Sequence, residues 1–433
     1  MHQDRAPALP NSVLARCRVS ALIGVLGATL LVGGCAGFLA GQPSPRGGYA
    51  SGDKVAVILP TGGPVADAAN AVREGLRAAN AADDTAAKPT LTFIASDQPN
   101  QIADAHKKAV TGGATQVIGP LLKPAVDILA SGPALKVPTL ALNQATKPGK
   151  AAGNLYQFAL APETEAVEVA TKAKAQGLTR ALMLIPQGDA GQRRADAFRR
   201  QWQRLGGTLV GETGFDPAAA DPAAAVRALL GKGKADFLFL AADGEQARQV
   251  YPAVRTAAVA LPVVATSAVY SGAADAARDK SLAGLYFVDA PWVLGVGAAD
   301  DPLARAKLKK SAALANPLGL RLFAMGIDAY RLTPRLAALM KDAGATFPGV
   351  TGTLSIDAQG RVQRQLMLAQ FTAGGPKPVT AIAAAAAPPP AKAGAEAAPA
   401  KPAETAPAPA AAVKPLAKPE PSRPRPEPVS RGG

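Results

Sequence analysis

The segment Lys54-Val55-Ala56-Val57-Ile58-Leu59-Pro60-Thr61-Gly62-Gly63-Pro64 decides the fold, because it joins a strand, a turn and the start of a helix. Its first six residues are almost continuously apolar, which is typical of a parallel strand covered on both faces. The Pro-Thr-Gly-Gly stretch predicts a turn, and Pro64 is favourable at the first position of a helix. Small and aliphatic residues then recur at helical spacing from Val65 to Ala79. The segment is therefore a strand-turn-helix unit.

The same unit recurs along the chain in two series. The first series continues with predicted strands at 91–96, 116–119 and 139–142, separated by predicted helices at 101–112 and 123–131. The second series alternates strands at 181–185, 208–215, 237–241 and 262–265 with helices at 162–175, 190–205, 222–230 and 245–255. Asp189 and Gln192 have capping-box spacing at one of these helix starts. Such alternation predicts an α/β fold with right-handed βαβ units in mainly parallel sheets.

The pattern changes after the apolar run 284–288. Helices are predicted at 303–315 and 321–342, and a hairpin at 352–371 around the turn Asp357-Ala358-Gln359-Gly360. Residues 376–433 are rich in alanine and proline, and such a composition buries too little apolar surface to fold. We therefore predict a disordered tail over 376–433.

Composition restricts the chemistry available to the chain. It has 433 residues, 48% of them apolar, and a formal charge of +15 from 47 basic and 32 acidic residues. Such a charge by itself suggests nucleic acid, an anionic membrane or another polyanion as a partner. With two cysteines and two histidines, a disulfide scaffold or a zinc site is disfavoured, and His106 is predicted to be an exposed helix residue. We predict no metal, no cofactor and no enzymatic activity.

The N-terminus predicts export, which argues against nucleic acid as a partner. Arg5, Arg16 and Arg18 form a positive region before the apolar run 21–31, which is short for a membrane span. The next residues, Leu31-Val32-Gly33-Gly34-Cys35, resemble the lipobox of bacterial lipoproteins. The resemblance implies that 1–34 is a signal peptide and that Cys35 carries lipid. The alternative is an unmodified cysteine after an ordinary signal.

The residues after Cys35 bear on where the lipid holds the protein. The dipeptide Ala36-Gly37 lacks the aspartate associated with inner-membrane retention, which favours the periplasmic face of the outer membrane. Residues 35–53 are rich in glycine, proline and serine and are predicted to form a flexible tether.

Two successive α/β layers resemble the type I periplasmic-binding-protein fold, in which two lobes face each other across a cleft. The resemblance implies crossings between the lobes near 156–161, 285–290 and 350–354. Lobe one would then be 54–157 plus 290–348, and lobe two 158–289 plus 349–373.

Open α/β sheets bind ligands at the carboxyl ends of their strands, so residues just beyond these ends are candidates for the cleft. The candidates are Thr61, Gly62, Gly63, Gly119, Pro120, Asn143, Gln187 and Asp243. Alternatively, each is an ordinary turn residue.

Several segments resemble the C-terminal domain of LpoA-type penicillin-binding protein activators. They are Val117-Ile118-Gly119-Pro120-Leu121-Leu122-Lys123-Pro124, Val137 to Asn143, Phe158 to Ala166, and the region from Gly191 to Gly207. The match spans roughly 54–372. It implies an outer-membrane lipoprotein that stimulates a class A penicillin-binding protein, a peptidoglycan synthase. Known activators of this kind carry N-terminal helical repeats, where this sequence has the predicted tether.

A second function stays open beside this one, a solute-binding receptor of an ABC transporter. Amino-acid-binding members of the fold usually present serine or threonine hydroxyls where this chain has Leu122 and Lys123, which disfavours a small-amino-acid site. Partner-contact candidates are Lys123, Arg193 and Arg194, the last two because cations in the first turn of a helix oppose its dipole. The basic tail is a candidate for contact with an anionic cell-wall polymer.

Overall fold

The computed structural model describes residues 47–147, 153–219, 221–308 and 312–383, all within one compact unit. The first sheet consists of five parallel strands in the order β2-β1-β3-β4-β5. They are β1 (Lys54–Leu59), β2 (Thr90–Ala95), β3 (Gln116–Ile118), β4 (Thr139–Ala141) and β5 (Leu155–Gln157). The connecting helices are α1 (Ala66–Ala82), α2 (Ile102–Thr111) and α3 (Lys123–Ser131). All of β1 except Lys54 is buried, as its continuous apolar run predicts.

A second sheet begins with five parallel strands from the second series of units. They are β6 (Arg180–Pro186), β7 (Thr208–Phe215), β8 (Phe237–Leu240), β9 (Val263–Ala265) and β10 (Tyr286–Asp289). Helices α4 (Pro162–Ala175) and α5 (Asp189–Arg204) pack on one face, against a core that includes Phe198, Trp202 and Phe239. Helices α6 (Pro222–Leu230) and α7 (Gly244–Ala257) pack on the other face.

The remaining chain returns to both lobes. The short α8 (Ala276–Asp279) lies between β9 and β10, and α9 (Pro317–Leu332) and α10 (Leu336–Lys341) follow β10. A small antiparallel sheet follows, with β11 (Phe347–Pro348), β12 (Thr353–Ile356) and β13 (Val362–Gln365). Strands β14 (Met367–Thr372) and β15 (Gly375–Pro378) then join the second sheet antiparallel, which gives the order β15-β14-β10-β9-β8-β6-β7.

Helix α9 packs on α1 with backbone contact. This contact places α9, which follows both series of strand-helix units in the sequence, on lobe one. Gly75 and Gly326 lie where the helices cross. A Cβ at Gly75 would lie 2.0 Å from the carbonyl oxygen of Phe323, and one at Gly326 would lie 2.3 Å from that of Val72. Only glycine permits such an approach. The predicted two-lobed α/β fold is confirmed, whereas the boundaries drawn between the lobes stay predictions.

The prediction of a helix over 303–315 is wrong. In the described part of that range the chain forms only short 3-10 turns, at Arg305–Lys307 and Ala313–Ala315. Long-range contacts hold it there, because Trp292 Nε1 donates to the Leu303 carbonyl (2.7 Å) and Arg305 donates to the Gly272 carbonyl. The predicted helix 321–342 is also interrupted, since a 3-10 turn containing Pro334 separates α9 from α10.

The predicted capping box at Asp189 and Gln192 does not form. Gly188 is the N-cap of α5, with a φ of 107°, and no side chain accepts a capping hydrogen bond there. Gln192 instead donates to Asp196 on the same helix.

The predictions of a flexible tether and a disordered tail are wrong for residues 47–53 and 376–383, which pack on the domain. In the predicted tether 35–53, the Tyr49 hydroxyl donates to the Tyr330 carbonyl (2.8 Å), and the two rings lie 5.0 Å apart. In the predicted tail 376–433, residues 376–378 belong to β15 and Ile382 is buried. The Tyr49 ring holds the first segment and the Ile382 side chain holds the second, because each buries apolar surface. The predicted signal peptide 1–34, the predicted lipidation site Cys35 and residues 384–433 lie outside the described residues.

Candidate functional site

At the carboxyl edge of the first sheet, the loops after β1 and β2 are tied together. The Asp97 carboxylate accepts hydrogen bonds from the backbone N–H groups of Thr61 (2.6 Å) and Gly62 (2.9 Å), and from the Thr61 hydroxyl (3.1 Å). These bonds hold the pKa of Asp97 below its ordinary value. Gly63 follows with a φ of 75°. Two predicted cleft residues therefore already have an internal partner.

The next two loops of this edge are also fixed by the backbone. Gly119 has a φ of 109° and precedes a cis peptide bond to Pro120. A Cβ at Gly119 would lie 2.1 Å from the Ile58 carbonyl oxygen, so only glycine fits. The Asn143 side-chain amide donates to the Leu121 carbonyl (3.1 Å), and the Pro120 carbonyl accepts from Leu142 N–H (2.8 Å). These candidates therefore shape the edge of the cleft, and their polar groups form hydrogen bonds with other residues of the same edge.

At the carboxyl edge of the second sheet, Asp243 is a helix cap. Its carboxylate accepts from the backbone N–H groups of Glu245 and Gln246 (both 3.0 Å), and the Gln246 side chain completes a capping box at the start of α7. Gln187 is exposed, and its backbone N–H donates to the Phe215 carbonyl (2.9 Å). Of these two candidates, Asp243 uses its carboxylate as a cap, whereas Gln187 has an exposed side chain.

The three partner-contact candidates have different environments. Lys123 begins α3 and is exposed. Arg193 is 60% exposed and lies 3.3 Å from Glu163. Arg194 is buried, with 8% exposure, and donates to the Ala241 carbonyl (3.2 Å) at the end of β8, so its prediction as a surface residue is wrong. The phase of α5 turns Arg194 toward the sheet and Arg193 toward solvent, and burial lowers the pKa of Arg194.

An ion pair that no sequence motif indicates joins the two lobes. Arg321, on α9, donates from Nε to Asp289 Oδ1 (3.0 Å) and from Nη2 to Asp289 Oδ2 (2.5 Å) at the end of β10. The same guanidinium donates to the carbonyls of Ser267 and Tyr270 (both 3.1 Å). The side chains are 12% and 1% exposed. Burial raises the pKa of Asp289 to about 6, against the lowering effect of Arg321.

A second set of buried charges surrounds this pair. Glu165 accepts from Ser267 N–H (3.0 Å) and from the Ser267 hydroxyl (2.9 Å), and Arg364 Nη2 lies 3.8 Å from its carboxylate. Asp328 accepts from the N–H (2.7 Å) and hydroxyl (2.6 Å) of Thr351. Burial raises the pKa of Asp328 and lowers that of Arg364. The junction between the lobes is therefore filled by charges that belong to the chain itself.

His106 is buried, so its predicted exposure is wrong. It is 7% exposed on α2, and Nε2 lies 3.0 Å from the Thr139 hydroxyl of β4. Burial lowers its pKa. Its neighbours Lys107 and Lys108 gave a polar local pattern, and no sequence signal identified its partner 33 residues away.

No helix within the described residues is long and apolar enough to cross a bilayer.

Comparison with protein families finds one matching model, the LppC lipoprotein family, over residues 50–374. Among curated relatives, the penicillin-binding protein activator LpoA of Yersinia pseudotuberculosis is 27% identical over 410 residues, covering 76% of this chain and 61% of the relative. LpoA of Serratia proteamaculans is 30% identical, covering 66% of this chain and 47% of the relative. The chain thus spans about half to three fifths of the length of these relatives.

Solved structures give the same picture. The LpoA C-domain from Haemophilus influenzae, described as a regulator of PBP1A, is 25% identical with a TM-score of 0.63, and the match covers 76% of this chain and all of that domain. A structure from Chromobacterium violaceum, described as a branched-chain amino acid ABC transporter, is 31% identical with a TM-score of 0.61, covering 73% of this chain and 99% of that one. Because the family model matches three quarters of the sequence, the chain belongs to the LppC lipoprotein family, and this matched region is similar to the C-terminal domain of LpoA.

Proposed function

We propose that this protein is an outer-membrane lipoprotein that binds a class A penicillin-binding protein and activates peptidoglycan synthesis. The lipid on Cys35 would anchor it to the periplasmic face of the membrane, and the two-lobed domain would contact the synthase. The likeness to the H. influenzae LpoA C-domain supports this proposal, since the match covers the whole of a domain described as regulating such a synthase.

One structural observation favours a regulator over a receptor. At the junction of the lobes the chain's own polar groups pair with one another: Arg321 forms an ion pair with Asp289, and Glu165 accepts a hydrogen bond from the Ser267 hydroxyl. A transport receptor needs polar groups that are free to meet the charged ends of its solute. Here Thr61, Gly62 and Asp243 bind the chain itself, which favours a domain that acts through its outer surface.

The two ends of the described chain suggest how such a regulator is arranged. Gly47 lies beside Pro334 and Arg335, near the amino edge of the first sheet. At the other end, Ile382 N–H donates to the Gln176 side chain (2.7 Å), near the amino edge of the second sheet. An anchor at Cys35 would therefore hold the protein by lobe one.

The direct test is activation of a purified class A synthase by the mature chain in detergent. Glycan polymerisation and peptide cross-linking from lipid II are measured with and without the protein, together with binding by surface plasmon resonance. We expect saturable binding and a several-fold rise in rate. The charge reversals Lys123→Glu and Arg193→Glu test the two exposed candidates, and Arg227→Glu on α6, 64% exposed, is the matched control. Absence of both binding and stimulation by the unmodified chain would refute the proposal.

The second candidate function is a solute-binding receptor, favoured by the likeness to the C. violaceum protein. Isothermal titration calorimetry with a panel of free amino acids separates the two. We expect no binding at micromolar concentrations, because the hydrogen-bonding groups at the cleft edges are already paired. Micromolar binding of any amino acid would make the receptor the better function.

A further inference from the structure

A polar cavity of about 490 Å³ lies beside the junction of the lobes, outside the cleft candidates. Helices α4 and α5 form two of its walls, and the β12–β13 hairpin forms a third. Gln144, just beyond β4, brings lobe one to its edge. A volume of this size lies within the range of small-molecule sites.

The charges that line this cavity are unbalanced. Its acidic side chains are engaged elsewhere, because Glu163 lies 3.3 Å from Arg193, and Glu168 lies 3.1 Å from Lys172. Glu168 also accepts from Leu366 N–H (3.1 Å). Arg200 and Arg204, from successive turns of α5, line the cavity and have no ion-pair partner within the described part of the chain. The cavity therefore presents cations whose counter-charge is missing.

A third cation lies deeper in the wall. The Arg364 side chain is 6% exposed, and its Nη2 has no hydrogen-bond partner among the described residues. The nearest carboxylate, Glu165 at 3.8 Å, already accepts two hydrogen bonds from Ser267. Arg364 therefore adds positive charge to the wall, while the exposed side chains of Arg200 and Arg204 are the groups that can contact a carboxylate. Arginine binds carboxylates with two parallel hydrogen bonds.

The rest of the lining suits a peptide better than a simple anion. Four glutamines line the cavity, and two of them are engaged, because Gln201 donates to the Thr171 hydroxyl and Gln363 donates to Asp357. The side chains of Gln144 and Gln365, for which the described residues supply no hydrogen-bond partner, can both donate to and accept from peptide amides. We propose that this cavity binds a short peptide with free carboxylates, the chemistry of a peptidoglycan stem peptide. The identity of the peptide rests on the periplasmic location in the proposed function. The site would let the regulator respond to wall precursors or fragments.

The test uses the full mature chain and the tripeptide L-alanyl-γ-D-glutamyl-meso-diaminopimelate in isothermal titration calorimetry. We expect saturable binding of the tripeptide and at least tenfold weaker binding of the same peptide with its carboxylates amidated. Inorganic phosphate and free D-glutamate are the comparison anions, and each should bind at least tenfold more weakly. Equal binding of phosphate and the tripeptide would overturn the proposal, because a non-specific cationic patch would then explain the data.

Variants locate the binding in this cavity. Arg200→Ala/Arg204→Ala removes two exposed cations, and we expect at least tenfold weaker binding with an unchanged melting temperature. Arg180→Ala/Arg227→Ala removes the same charge away from the cavity and should bind as the unmodified chain does. Unchanged binding in the Arg200/Arg204 variant would refute the proposal. Synthase activation, measured separately, tests the proposed function whatever the result here.

Discussion

Replacing Arg321 by methionine should destabilise the protein strongly and in a pH-dependent way. The substitution keeps most of the side-chain volume but removes the donors to Asp289, Ser267 and Tyr270. Breaking a buried ion pair on one side costs about 3–5 kcal/mol, because the remaining charge is left uncompensated. The expected loss at pH 7.5 is therefore about 4 kcal/mol.

The direction of the pH dependence follows from Asp289. Its pKa of about 6 in the folded protein lies above the value of about 3.9 in an unfolded chain. The protonated carboxyl therefore favours the folded state fully below about pH 4, and this contribution is lost as the pH rises through 6. Without Arg321 the pKa rises further, so the loss continues to higher pH. The defect of Arg321→Met should thus be smaller at pH 5 than at pH 8.

Urea unfolding followed by tryptophan fluorescence measures this effect at several pH values. Arg321→Met/Asp289→Leu removes both charges and should recover most of the loss. Arg227→Met breaks the exposed pair with Asp221, in which the side chains are 64% and 58% exposed, and serves as the surface control. A loss below about 1 kcal/mol, a defect independent of pH, or a double variant as unstable as the single one would refute the reasoning.

Three further predictions concern other parts of the chain. Cys35→Ser should move the protein from the membrane pellet to the soluble fraction, and mass spectrometry of an unmodified Cys35 in the wild type would contradict the anchor. The variant His106→Gln keeps a donor near Thr139 but does not titrate. Because burial lowers the pKa of His106, the wild type should lose stability relative to this variant as the pH falls from 7 to 5. Urea unfolding at several pH values measures the difference. Deletion after Ala383 should leave the melting temperature unchanged. Deletion after Gly375 removes most of β15 and the buried Ile382, and should lower the free energy of unfolding by about 2 kcal/mol or more. Equal melting temperatures of the two variants would contradict the packing of residues 376–383 on the domain.

Local sequence patterns were sufficient for most of the fold. The predicted bounds of α3, α4, α6 and β7 agree with the structure to the residue. Each of these helices has a proline in its first turn and an apolar stripe, signals that lie within the element itself. The hairpin around Asp357 also formed, since its turn chemistry is local.

The errors occur where a distant contact decides the outcome. The segment 303–315 has good helix formers, yet its contacts with Trp292 and Gly272 prevent a helix. Arg194 and His106 are polar residues, which local sequence patterns place on the surface. Both are buried because the helices that carry them pack on a sheet. The pair of Arg321 and Asp289 could not be identified, because 32 residues separate them and neither forms a recognisable motif.

The junction charges also limit how the two lobes can move. Arg321 comes from a helix packed on lobe one, and Asp289 ends a strand of lobe two. An opening that separated them would leave each as an unpaired charge in a largely buried position, at a cost of about 3–5 kcal/mol. A rotation that keeps the pair intact avoids this cost and is the only large movement we expect at thermal energies. A partner that senses the domain would therefore meet two surfaces whose relative position changes mainly about this ion pair, and ligands in the cavity lined by Arg364 would act on the same junction.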